Sequence, residues 1–297
     1  MERRDRLNGE LGLKLYDIFV RYSCLRTEER KEIVYRTGDG HRTVSIKNPV
    51  SSLYSWKLFL YCLWKAEEVE ELEEGVRAYV SREVISQILR KPGITLREVK
   101  RYLEPLRYTH YDVEEMSGDI VNYYDFGLLL KVEGWEKLQG GYGRLKLLID
   151  KAFYQFCLES RLFLYMVFVE ELQSVYAVNL FTFLTAHSGR VFREEVLFDK
   201  AGIPEDMELF NKRLYLKRAL NSLVYAGFLK GFSCDAQNRK WILERYDAAS
   251  LRVIALEKLK ALEEELKFFS ERQREKERER KSKQRQKNKA PKPEIMF

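Results

Sequence analysis

The segment Val99-Lys-Arg-Tyr-Leu-Glu-Pro-Leu106 returns 117 residues later as Leu216-Lys-Arg-Ala-Leu-Asn-Ser-Leu223. Both read [VL]-K-R-x-L-x-x-L. The apolar positions fall at helical spacing, so each copy buries one face and offers Lys-Arg on the other. Two further matches keep the same order. Tyr54-Ser-Trp-Lys-Leu-Phe59 pairs with Tyr176-Ala-Val-Asn-Leu-Phe181, and Arg82-Glu-Val84 with Arg193-Glu-Glu-Val196. The offsets drift as loop changes would make them. A chain with three matched segments in order is built from one unit used twice.

Local signals say what that unit is. Residues 52–74 read as a long helix with an acidic end, Glu67 to Glu74. Ser81 caps a helix through about Arg90, Lys91-Pro92-Gly93 turns the chain, and Thr95 with Glu98 opens the next helix as a capping box. Helix, short turn, second helix is a helix-turn-helix. Tyr108 to Val113, Ile120 to Val132 and Leu145 to Ile149 read as strands, with a polar loop from Gly134 to Gly143. A hairpin after a helix-turn-helix makes a winged helix. In the second copy, residues 162–169 read as a buried strand and 170–186 as a helix. Arg193 to Ala201 reads as a short helix, and 208–226 as a long one stopped by Gly227. Phe228 to Phe232 and Lys240 to Arg245 form a tighter wing. The expected fold is therefore helix-rich α+β. It has two tandem winged-helix domains and a C-terminal helical, basic tail. The expected divisions are an N-terminal arm at 1–43, a first winged helix at 44–160, a second at 161–247 and the tail at 248–297. The arm is expected to hold a helix from about Leu11 to Cys24, the turn Gly38-Asp39-Gly40 and a short strand, Val44 to Lys47.

Charge is unevenly placed. The chain has 297 residues and a formal charge of +7. From Glu271 to Phe297 there are 11 basic and 5 acidic residues, so the rest is nearly neutral. A uniformly basic coat is excluded, and any nucleic-acid surface on the body is a local patch. Aromatics at 13% are far too rich for a disordered chain. Cys24, Cys62, Cys157 and Cys234 are scattered without a C-x-x-C pair, which fits reduced core thiols in a cytoplasmic protein. The stretch from Leu172 to Gly189 lacks charge but holds Gln173, Asn179 and His187, so it reads as a buried helix and not a membrane span.

Catalytic signals are lacking. There is no phosphate-binding G-x-x-x-x-G-K-[ST], nucleophile elbow or H-E-x-x-H. The glycines Gly140, Gly141 and Gly143 join two strands and read as a hairpin turn. His41, His110 and His187 stand alone, so no metal site and no cofactor are expected. The chain is read as a non-enzyme.

The basic helix faces point to double-stranded DNA. A helix in the major groove needs long cationic and amide side chains that reach phosphates and base edges. In the second unit these are Asn211, Lys212, Arg213, Lys217, Arg218 and Asn221. In the first they are Arg97, Lys100 and Arg101, interrupted by Glu98 and Glu104. An ordinary solvated helix face is the competing explanation of any one of them. Arg272 to Lys292 either lies along phosphates or solubilises the end. Ile295-Met296-Phe297 is either an apolar docking tip or a plain terminus.

Two segments carry a resemblance. Ile149 to Tyr154 leads to Leu172-Gln-Ser-Val-Tyr-Ala-Val-Asn-Leu-Phe-Thr-Phe-Leu184, with Ser174, Tyr176, Ala177, Leu180, Phe181 and Leu184 at motif positions. Lys217 to Leu220 then runs into Ala226-Gly-Phe228. Residues 44–246 thus resemble the iteron-binding plasmid replication initiators, the Rep family with two winged helices. Phe181 stands where that family has Tyr, Ser51 to Lys57 lacks its acidic and threonine start, and the chain from Ala248 has no counterpart. The resemblance implies a DNA-binding protein that initiates replication of a plasmid or other extrachromosomal element at direct repeats and represses its own gene. It also implies a homodimer in equilibrium with monomer, with host helicase or initiator as partner. The strand pair Leu128 to Val132 and Leu145 to Ile149 is then a candidate dimer surface. The alternative is a winged-helix protein-interaction or transcription-regulatory module.

Overall fold

Leu11, Leu13 and Leu15 alternate with Gly12 and Lys14, and that period of two makes a strand, not the expected helix. Strand β1 (Gly12–Lys14) pairs antiparallel with a strand in the middle of the chain, and Leu13 and Leu15 are buried. The computed structural model describes residues 9–15, 32–36, 41–49, 52–91, 94–136, 143–160, 162–235 and 237–289. The rest of the expected arm helix, the turn at Gly38 to Gly40, the glycines Gly140 and Gly141, and the apolar tip lie outside them.

The chain is α+β, with four small sheets among the described residues. Strands β2 (Glu32–Arg36) and β3 (Arg42–Lys47) form a hairpin, and β3 crosses the expected boundary at 43. Helix α1 (Leu53–Trp64) starts at Ser52, whose hydroxyl accepts from the Ser55 N–H, and its residues from Ser55 onward are buried except Lys57. The long helix expected over 52–74 ends there. Residues 68–71 form β4 (Glu68–Glu71), an exposed edge strand paired with β5 (Gly75–Ser81). Glutamates favour helix only weakly. Here they meet arginines across the sheet: Glu67 and Glu68 lie 3.3 and 2.8 Å from Arg144, and Glu70 lies 2.8 Å from Arg77.

Helix α2 (Arg82–Ile88) is capped by Ser81 and α3 (Leu96–Leu103) by the Thr95/Glu98 capping box, as the sequence predicts. A 3-10 turn (Glu104–Tyr108) follows. The run read as one strand over 120–132 divides. β6 (His110–Ser117) and β7 (Ile120–Gly127) extend the β2–β3 hairpin into a four-stranded sheet. The chain then crosses at buried Leu128 into β8 (Leu129–Glu136), which pairs with β9 (Gly143–Asp150). Crossing sheets lets the residues on either side of Leu128 pair with different strands while sharing one core. The hairpin that packs with α2 and α3 is therefore β8–β9, with β6–β7 inserted before it. In the strand pair expected as a dimer surface, Leu128, Leu129, Val132, Leu145, Leu147, Leu148 and Ile149 are buried, while Leu130 is 36% exposed and β8 is an edge strand of its sheet among the described residues.

Asp150 caps α4 (Lys151–Glu159), accepting from the Ala152 and Phe153 N–H groups. The eight residues 162–169 were expected as one strand. Only β10 (Phe163–Tyr165) is extended, and α5 (Met166–Glu171) follows at once. Helix α6 (Val175–Ala186) begins after a break at Leu172, so the helix expected from 170 is two helices. Then come β11 (Val191–Arg193), α7 (Glu194–Ala201), α8 (Leu209–Tyr225), β12 (Leu229–Asp235) and β13 (Lys240–Arg245). Gly202 and Gly227 take φ of 75° and 74° at the ends of α7 and α8, where a side chain would be strained.

The repeat is thus visible in the backbone. Helix α1, strand β5, helices α2 and α3, and hairpin β8–β9 have sheet order β5–β9–β8. Helix α6, strand β11, helices α7 and α8, and hairpin β12–β13 have order β11–β13–β12. The three matched sequence segments lie on α1 and α6, on the starts of α2 and α7, and on α3 and α8. In each unit the first helix is the core, and α6 is buried from Tyr176 to Leu184.

The units meet through α1 and α5. The Lys57 ammonium donates to the carbonyls of Glu170 and Leu172, both at 3.0 Å, and so closes the C-terminal end of α5. Burial holds its pKa below the usual lysine value. The Tyr61 hydroxyl donates to Glu170, and burial raises that phenol well above its ordinary pKa. Helix α9 (Ala248–Lys289) spans both units. Lys258 meets Glu171 at 2.5 Å, Arg90 meets Glu265 at 2.9 Å, and the Gln87 amide donates to Ser270 at 2.8 Å.

Candidate nucleic-acid interface

Helix α8 turns Leu216, Ala219, Leu220 and Leu223 inward, all buried. The positions between them, Lys217, Arg218 and Asn221, are exposed. Among the described residues neither Lys217 nor Arg218 has an ion-pair partner, and the Arg218 guanidinium lies 5.9 Å from the Tyr215 ring. These three side chains form an outward face that can reach phosphates and base edges.

The other three positions singled out on α8 do different work. Arg213 is a correction. Its guanidinium donates two bonds of 2.9 Å to the Glu194 carboxylate, which is 1% exposed. The pair raises the arginine's pKa above its ordinary value, mainly through that hydrogen bond. A DNA contact by Arg213 would strip a buried carboxylate of its main counter-charge, so we assign Arg213 to the fold. The signal was present in the sequence. Arg213 stands three residues before Leu216 and seven before Leu220, on the inward side. Lys212 donates to the Glu205 carbonyl at 2.6 Å and is half-buried. Asn211 is half-buried beside it.

The same carboxylate reaches the hairpin. Arg239 lies 3.9 Å from Glu194, and the Arg239 carbonyl accepts from the Glu194 N–H at 2.9 Å. Glu194 thereby joins α7, α8 and the β12–β13 turn. Arg239 and Lys240 leave that turn exposed. They extend the basic surface beyond the residues expected from the sequence. Basic residues directly after the Asp235-Ala-Gln-Asn238 turn were the available sign.

On α3, Arg97, Lys100 and Arg101 are all exposed, and Arg101 lies 5.6 Å from the Tyr102 ring. The two glutamates that interrupt them are engaged locally. Glu98 accepts from the Thr95 N–H at 3.0 Å and pairs with Lys91 at 3.1 Å. These contacts, the Thr95 N–H first, hold its carboxyl below the usual range. Glu104 pairs with Arg107. The outward face of α3 is therefore more positive than its sequence suggests.

No cluster of three or more His, Cys, Asp or Glu side chains suited to a metal exists among the described residues. No helix among them is long and apolar enough to cross a membrane.

No family model matches the chain, and no curated protein matches it. Two solved structures are similar in part. One is a crystal structure of domains 2 and 3 of RctB, selenomethionine-labelled. It is 10% identical, covers 70% of this chain and 85% of that one, and has a TM-score of 0.47. A second, RctB domains 2–3 (residues 155–483), is 11% identical over 70% and 83%, with a TM-score of 0.44. Likeness at this level assigns nothing to the present chain.

Proposed function

We propose that the two repeated units are winged helices and that the chain binds double-stranded DNA through α8 and α3. One observation carries this. The same helix occupies the same place in both units, and each time its outward face holds exposed basic side chains: Lys217 and Arg218 with Asn221, and Arg97, Lys100 and Arg101. A solvated face has no reason to be basic twice at equivalent positions in a body that is nearly neutral.

The resemblance to the Rep initiators supplies the rest of the proposal. The protein recognises repeated origin sites, starts replication of an extrachromosomal element and represses its own gene. It carries no catalytic site. It exchanges between homodimer and monomer and recruits a host helicase or initiator.

A protein-interaction module is the second reading. The ends of α8 support it, since Phe210 and Tyr225 are 76% and 87% exposed. The test is binding of the purified protein to the DNA upstream of its own gene, against random duplex of equal length, at two salt concentrations. Selective binding that survives the higher salt, with a ladder of shifted bands, supports the initiator. Equal, salt-labile binding to both duplexes favours the interaction module.

A further inference from the structure

Helix α9 divides sharply by charge. From Ala248 to Glu279 it has eight basic and eight acidic residues. From Arg280 to Lys289 it has six basic and none acidic. Nearly all of the chain's net charge of +7 therefore sits on the last ten helical residues.

It divides by packing at an earlier point. The first part is anchored. Ala255 and Leu259 are buried, Lys258 bonds to α5, Ser270 to α2, and Glu265 to Arg90 just past the end of α2. The described side chains from Glu271 to Ser282 are exposed. No apolar residue occurs between Glu271 and Lys289, so nothing draws this part onto the body or into a coiled coil. Yet the helix continues 19 residues past Ser270. At 1.5 Å per residue it reaches about 28 Å beyond its last anchor. The basic segment begins about 15 Å past the anchor. That is nearly twice the Debye length of about 8 Å at physiological salt, so this charge is screened from the body that carries it.

We propose that α9 is a rigid arm that lays Arg280 to Lys289 along the phosphates of duplex DNA flanking the site read by α8. The proposal rests on the DNA-binding reading above. Charge complementarity selects the partner. The basic segment is about 15 Å long, and duplex DNA carries a phosphate every ~1.7 Å of axis; at ~3.6 residues per turn positions 280, 283 and 287 fall on one side of the helix and 281, 285 and 289 on another, so about three cations engage one duplex at once. From Glu271 to Lys289 the arm holds no aromatic side chain on which unpaired bases could stack and no apolar face to enter a bilayer, so single strands and membranes are poorer partners.

The test compares the full chain with a variant in which Arg280, Lys281, Lys283, Arg285, Lys287 and Lys289 are all Gln. Glutamine keeps helix propensity and removes only the charge. Both are titrated, over a salt series, onto a duplex that the full chain selects from a random pool. The duplex is used with long flanks and trimmed to the protected core. On long flanks the slope of log K against log salt is expected to be shallower in the variant by about 3, at ~0.9 per phosphate contact. On the trimmed duplex the two proteins should agree. Equal slopes on long flanks overturn the arm while leaving site recognition intact. A slope difference without any selected site overturns the α8 reading and leaves the arm as a general polyanion contact. Tighter binding to single-stranded RNA or to phosphatidylserine vesicles than to duplex at equal salt also overturns the assignment of DNA.

Discussion

Replacing Arg213 with Ala separates folding from DNA contact. In the folded chain Glu194 is 1% exposed, and Arg213 supplies both of its 2.9 Å bonds. Removing one partner of a fully buried pair costs about 3–5 kcal/mol, because the remaining charge is stranded. An exposed pair is worth about 1 kcal/mol or less. This pair is intermediate: the carboxylate is inside, but the guanidinium is 39% exposed and Arg239 stands 3.9 Å away as partial compensation. The expected loss for Arg213→Ala is therefore about 2 kcal/mol. Urea unfolding reads it as a lower midpoint at unchanged slope. Lys217→Ala and Arg218→Ala, on the outward face, should stay within about 0.5 kcal/mol of the parent. The double variant Glu194→Ala/Arg213→Ala should lose less than the sum of the two single losses, since no orphan charge remains. If Arg213→Ala unfolds like the parent while its DNA affinity falls, the pair is not structural and Arg213 reads DNA after all.

Three smaller changes test the local account. Thr95→Ala removes the capping box that opens α3 and should cost about 1 kcal/mol, with Thr95→Ser nearly neutral in the same unfolding assay. Gly227→Ala should cost about 1–2 kcal/mol from its φ of 74° alone, since an added Cβ meets nothing closer than Lys258 Cε at 3.5 Å; a neutral result refutes the backbone argument. Burial pushes the Cys62 thiol up to about 12, and Cys157 is also buried, whereas Cys234 is exposed. A thiol reagent at pH 8 should modify Cys234 in the folded protein and reach Cys62 and Cys157 only on unfolding.

The repeat and its capped helices were legible because their signals are local. The Thr95/Glu98 box, the Ser81 cap, Gly227 and the 3–4 spacing of Leu216, Leu220 and Leu223 all act within one or two turns. What escaped was set by distant partners. Glu68 to Glu71 form a strand by pairing with β5, with Arg77 beside Glu70 and Arg144 of β9 beside Glu68. Residues 120–132 divide because β7 joins β6 while β8 joins β9. Met166 to Val169 coil although their apolar run reads equally as a strand, an ambiguity that periodicity cannot resolve. Lys57 is half-buried and donates to carbonyls that are 113 and 115 residues away. On the candidate interface, an outward basic face was visible for Lys217, Arg218 and Asn221, but a buried acceptor for Arg213 was not. Nothing local marks Glu194 as buried, because the hairpin and α8 that enclose it come later in the chain.

The most direct measurement of the central claim compares the parent with Lys217→Ala/Arg218→Ala/Asn221→Ala on the duplex selected from a random pool. If α8 reads DNA, the triple variant loses at least tenfold in specific affinity, about 1.4 kcal/mol or more, with relaxed site preference and an unchanged unfolding midpoint. Undiminished affinity and the same preferred site in the triple variant would contradict it.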